Sequence, residues 1–217
     1  MSDALIREVQ EDLQRDRAIA LAKRYGGYVA GLVFLVIAGT AAYIGWQNWQ
    51  ASVRADESSR LFAALSKLDD GEAAAAQADF QALAADSSDG VAAIARFQAA
   101  QAALRENEAD EATQSLEQVA SGSVDDAILK EAALIGVIGR RLDSGDPAAL
   151  IAELQPLAGA DRPFRHQARE LLALAQVRGG NIEDAKATLD DAIKDPSLPA
   201  GARMRLSEYR AALEAAA

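Results

Sequence analysis

The sequence predicts an all-α protein, with a single N-terminal transmembrane helix followed by a solenoid of helical hairpins. Three observations lead there. Gly26 to Trp46 is a run of 21 residues without a charge, about the 20 a helix needs to cross a hydrocarbon core. The remainder lacks any run of β-branched and aromatic residues with period two, so no sheet is expected. Instead, helix-forming stretches are cut about every 12 to 18 residues by Gly, Pro, Ser, Asp or Asn.

Residues 3–24 come first. Leu5, Ile6, Val9 and Leu13 recur at helical spacing, Ile19 and Leu21 follow, and charges fill the opposite positions. This reads as an amphipathic cytoplasmic helix that lies against the membrane before the chain turns to cross it, or as a docking helix for a partner. The apolar run has the edges of a span, with Lys23, Arg24, Tyr25 and Tyr28 on one side and Trp46 and Trp49 on the other, where indole rings favour the headgroup level. Gly27 and Gly31 form a small-xxx-small pair through which two spans can approach. The competing readings fit less well. A cleaved signal peptide has a shorter apolar core, and nothing else in the chain is hydrophobic enough to surround a buried helix that is apolar all round.

Charge orients the span. Lys23 and Arg24, with Arg15 and Arg17 behind them, mark the cytoplasmic side; beyond the span the nearest basic residue is Arg54, accompanied by Asp56 and Glu57. The expected organisation is therefore a cytoplasmic helix over 1–24, a transmembrane helix with an aromatic exit over 25–49, and a periplasmic domain over 50–217 of a bacterial inner-membrane protein. The first 24 residues carry five basic and five acidic side chains, so the whole formal charge of −11 resides after the span. An acidic domain repels nucleic acid, which is excluded as a partner. The absence of cysteine rules out disulfides and thiolate metal sites.

Past Trp49 the chain continues as helix to the turn signal Asp70-Gly71, with almost no linker. Helices follow over 72–86, 91–107 and 109–120. Ser121-Gly122-Ser123 breaks the chain before 125–145, and Asp146-Pro147 opens the next helix. Asp161 to Pro163 introduces the helix beginning at Phe164, Asn181 opens 182–195, and Pro196 to Pro199 precedes 201–214.

These cuts pair the segments into hairpins of about 34 residues, the period of tetratricopeptide repeats. Residues 168–197 fit that pattern best. Leu172 and Ala173 stand at the Leu-Gly positions, Gly179-Gly180-Asn181 at the turn, and Ala185, Leu189 and Ala192 in the second helix. The same second-helix spacing occurs in Ala112, Leu116 and Val119 after Ala99 and Ala100, in Ala76, Phe80 and Leu83 after Ala63 and Ala64, and more loosely in Leu150, Leu154 and Leu157. Small residues let paired helices approach and leucines fill the seam. Met204, Leu206, Tyr209 and Leu213 make the last segment amphipathic, which reads as a capping helix, with a partner-binding helix as the alternative. A generic helical bundle is the alternative.

The leader IREVQEDLQRDRAIALAKRYGG, the span ending GTAAYIGWQNWQ and the degenerate repeats directly after it resemble the ancillary subunit of the Sec translocon, the YfgM-like family, in its alphaproteobacterial form. The resemblance implies an inner-membrane protein whose periplasmic domain associates with the secretion channel and with periplasmic chaperones. It brings no catalytic residue and no cofactor.

The residues alone offer little chemistry. His166, the one histidine, reads as a surface residue of its repeat rather than a general base, and the pairs Asp69/Asp70, Asp125/Asp126 and Asp190/Asp191 read as turn and cap residues without calcium-loop spacing. The expected role is that of a non-enzymatic adaptor for protein partners. A peptide groove lined by first helices would use Phe97, Gln101, Gln167 and Glu170, each of which also has a plain reading as core or solvated surface. The alternative is a scaffold or cell-envelope coordinator that acts through homo-oligomerisation, joined through Gly27/Gly31 or the leader helix.

Overall fold

A computed structural model describes the backbone of residues 2–215 and the side chains of residues 23–215 other than Gly26 and Val29. The apolar face of Leu5, Ile6, Val9, Leu13, Ile19 and Leu21, like Arg15 and Arg17, lies outside the described side chains. The chain divides into two units, Met1–Asp56 and Glu57–Ala217.

Helix α1 begins at Ser2 and runs to Asp69, and the first unit is its part up to Asp56. The turn expected between the leader and the apolar run does not occur. No proline lies there, and Gly26 and Gly27 both remain within the helix. Within Ala30–Asp69 lies the one stretch, among the described residues, that is long and apolar enough to cross a membrane, and none of it is buried. Its polar groups are satisfied internally: Thr40 Oγ1 donates to the Val36 carbonyl at 2.7 Å and Gln47 Nε2 to the Tyr43 hydroxyl at 2.8 Å. Arg24 lies 5.5 Å from the centroid of the Tyr25 ring, which gives the charged edge of the run an aromatic partner.

The second unit starts with the last turns of α1 and continues through α2 (Ala73–Asp86), α3 (Asp89–Arg105), α4 (Ala109–Ala120), α5 (Ala127–Arg141) and α6 (Pro147–Leu154). A 3-10 turn over Gln155–Leu157 leads to α7 (Arg165–Arg178), α8 (Ile182–Lys194) and α9 (Ala200–Ala215). No strand occurs among the described residues.

The helix ends follow from local chemistry. Asp126 accepts from the amides of Ile128 and Leu129, and Asp146 from that of Ala149, with Pro147 in the first helical position. Three hairpin turns close alike: Gly71, Asn107 and Gly180 take φ of 87°, 63° and 79°. The following amides, of Glu72, Glu108 and Asn181, each donate five residues back, to Lys67, Ala103 and Gln176. Only glycine, or at some cost asparagine, sits comfortably in that left-handed position. These turns are the clearest structural signature of repetition.

The second-helix positions expected to pack do so. Ala76 and Phe80 meet Ala64, Leu68, Ala99 and Ala102; Ala112 and Leu116 meet Ala100, Ala103 and Val137. Leu150, Leu154 and Leu157 meet Ile138, Ala168 and Leu172. Leu189 and Ala192 meet Ala173 and Leu206 of the terminal helix. A Cβ on Gly136 would lie 2.9 Å from Leu116 Cδ1, so the bare position lets that leucine lie directly against α5. Arginines then tie helix C-termini together: Arg105 donates to the Leu68 carbonyl, and Arg178 to those of Leu142 and Gly145. Cations suit these sites because the last carbonyls of a helix carry its negative end.

Candidate protein-interaction surface

The first helices of the hairpins are the end of α1, then α3, α5 and α7. On three of them a large apolar side chain stays in solvent: Phe62 is 69% exposed, Ile94 43% and Ile128 57%. Sequence reasoning missed all three. Their only signal is an apolar residue off the phase of the buried positions, and in an alanine-rich helix that phase is hard to read.

The expected groove residues separate into two places. Phe97 is half-buried against two clusters that join α3, α4 and α5, so its ring serves packing between hairpins. Gln101, one turn on, is exposed. Gln167 and Glu170 meet on α7 around a cavity of 110 Å³, which His166, Leu198, Arg205 and Leu206 also line. Gln167 is exposed, whereas Glu170 accepts both donors of Arg205, at 2.7 Å each. That bidentate pair joins α7 to α9. Of the anchor residues, Lys23, Arg24, Trp46 and Trp49 are exposed. A Cβ on Gly27 or Gly31 would meet nothing within 4 Å.

His166 is half-buried, its side chain 18% exposed beside a carboxylate hub. Asp195 Oδ2 accepts from Arg165 Nε at 3.1 Å and Arg169 Nη1 at 3.2 Å, and Asp195 Oδ1 from the Ser197 amide at 3.0 Å and hydroxyl at 2.6 Å. The Ser197 bonds, followed by Arg165, hold the Asp195 carboxyl far below the usual carboxylate range. His166 Nε2 lies 3.2 Å from Ser197 Oγ. A nucleophilic serine would donate to that nitrogen, but here the hydroxyl proton goes to Asp195. The arrangement clamps the loop between α8 and α9 to α7. Of the paired acids, Asp126 is a helix cap and Asp190 accepts from Arg210 Nε at 3.0 Å. Among the described residues no group of three or more His, Cys, Asp or Glu is placed to hold a metal ion.

No curated protein and no solved structure shows significant similarity to the chain. The Tetratricopeptide repeat-like domain matches residues 21–156, from just before the apolar run to the end of the third hairpin. Residues 168–197, whose spacing fits the repeat best, lie beyond that match. Such domains are in general non-catalytic modules for protein interaction. With more than half of its length matched, the chain belongs to the tetratricopeptide repeat-like domain family.

Proposed function

We propose that the chain is an inner-membrane-anchored, periplasmic helical-repeat adaptor that binds protein partners at the Sec translocon and links it to periplasmic chaperones. The observation that carries the adaptor role is the exposure of Phe62, Ile94 and Ile128 on successive first helices, since the core has no use for them. Gln101 and Gln167 are the exposed members of the groove on α3 and α7. The translocon and chaperones are what the leader and span resemblance implies. The Lys23/Arg24 edge supports a cytoplasmic N-terminus, with 25–49 in lipid and 50–217 outside.

Photo-crosslinking from Phe62, Ile94, Gln101 and Gln167 in the full chain, in its native membrane, tests this. Capture of a channel subunit or a periplasmic chaperone is expected. Capture of division or outer-membrane tethering proteins instead would favour the coordinator role, and no captured protein at any position would sink the adaptor.

One feature of α1 favours a second reading, a homo-oligomeric anchor. Gly31, Ala38, Gly45 and Ser52 recur every seven residues, interleaved with Gly27, Phe34, Ala41, Asn48 and Ala55 at the same interval. All nine are uncharged and exposed. A sustained seven-residue period is the signature of paired helices, and small residues let the backbones approach. Because the chain has no cysteine, single cysteines report pairing directly. Dimer crosslinks are expected at Ala38, Gly45 and Ser52 but not at Val33, Thr40 or Gln47. Equal crosslinking at both sets, or none at either, removes this reading.

A further inference from the structure

The loop between α8 and α9 is fastened to α7 by Arg165 and Arg169, which hold Asp195 and Ser197, and by one imidazole ring whose protonation the surrounding bonds do not accommodate. Ser197 Oγ gives its proton to Asp195 Oδ1 and accepts from Arg165. His166 Nε2, 3.2 Å away, must then be the donor of that contact. This network places a hydrogen on Nε2. The other nitrogen, Nδ1, is buried without a partner. Its nearest acceptor is Asp195 Oδ2, 4.0 Å away, which already receives Arg165 Nε and Arg169 Nη1.

We propose that the Asp195 hub is an acid-labile latch on the C-terminal cap, released when His166 gains a proton at Nδ1. A new N–H there has no acceptor in reach. Either the ring swings out, which breaks the Ser197 contact, or Asp195 moves toward it, which lengthens its bonds to two arginines. Both outcomes loosen the loop from α7. The loop carries Leu198, which with Leu206 completes the apolar seam under α9.

The charged groups around the ring set the direction. Arg165 and Arg169 flank it on α7, where Glu170 is neutralised by Arg205 of α9. Arg162, just before α7, is paired with Glu131 of α5, and Arg203 of α9 donates to the carbonyls of Ile193 and Asp195. Lys194 sits beside Asp191 at the end of α8, 4.0 Å from it. Asp195 is therefore the one carboxylate beside the ring that could welcome a proton, and two arginines already share it. Burial and Arg165 lower the proton affinity of His166, and Asp195 offsets them in part. Since the folded value lies below that of a free imidazole, about 6.5, the latch is fully closed above that pH and weakens as pH falls through the folded value.

Hydrogen exchange of the full chain in lipid nanodiscs, corrected for intrinsic rates between pH 7.5 and 5.5, tests this. Residues 196–215 should lose protection by up to about tenfold, the ceiling that the free imidazole value sets at pH 5.5, while residues 57–105 keep theirs. In His166→Gln, which can still donate to Ser197, the pH-dependent loss should vanish. A loss that persists in His166→Gln, an equal loss over 57–105, or no loss at all would overturn the latch. Should that variant fail to fold, the lone imidazole of the unaltered chain decides by NMR: titration below the free value supports the latch, and titration at or above it overturns the proposal.

Discussion

Phe80→Ala is expected to cost about 3–5 kcal/mol, the usual range for deleting a buried aromatic ring. Phe80 is fully buried, and the residues around it in its cluster are chiefly alanines: Ala64, Ala73, Ala76, Ala99 and Ala102. A cavity closes only as far as its neighbours can reorient. Alanines have no side-chain torsion with which to follow, so the void should stay open and the loss lie near the top of the range. Because a solenoid is stabilised by contacts between adjacent repeats, the damage should concentrate at the junction of α1, α2 and α3. Urea denaturation of the full chain in detergent, followed by helicity, measures the cost, and hydrogen exchange locates it. Phe62→Ala is the internal control: that ring is exposed, so its removal should change stability by less than about 0.5 kcal/mol. A Phe80→Ala loss as small as that of Phe62→Ala would show that the first hairpin does not pack as described.

The same pair of phenylalanines shows what could be read from the sequence. Phe80 stood out because Ala76, Phe80 and Leu83 recur at helical spacing after a turn signal, and both the spacing and the turn chemistry are local. Asp70-Gly71 and Gly179-Gly180-Asn181 were legible for that reason, since a left-handed residue requires glycine or asparagine wherever the fold places it. Phe62 and Phe97 were not legible. Each lies on a first helix with alanines on most sides, and which face is covered depends on hairpins more than twenty residues away. Phe97 has both a groove and a core reading in the sequence and serves the contact between α3, α4 and α5, whereas Phe62 carries no sequence signal and is exposed. The surroundings of His166 were hidden for a related reason. Its partners Asp195 and Ser197 lie about thirty residues downstream and meet it only once α8 has returned along α7. The continuity of α1 across residues 24–26 was missed because a charged, amphipathic leader and an apolar span differ in composition, and composition does not show where a helix ends.

Breaking the ion pair between Arg162 and Glu131 should be as costly as losing Phe80. The Glu131 side chain is 4% exposed; one oxygen is paired with Arg162 and the other has no partner. Arg162→Ala would leave that carboxylate buried and uncompensated, at about 3–5 kcal/mol. The cost belongs to the abandoned charge, and not to the worth of the pair. The double variant Glu131→Leu with Arg162→Met should therefore recover most of it, since an apolar pair of similar size needs no desolvation to be offset. The pair also positions function: Arg162 lies directly ahead of α7, where Arg165 receives the loop of the C-terminal cap and also donates to the Arg162 carbonyl. Denaturation midpoints of Glu131→Leu, of Arg162→Met and of the double variant complete the cycle. If the single variants together account for the double variant additively, Glu131 is solvated in solution and the link from α5 to α7 does not depend on charge. If the double variant is the more stable, the junction is held by packing and the ion pair serves to fix its register.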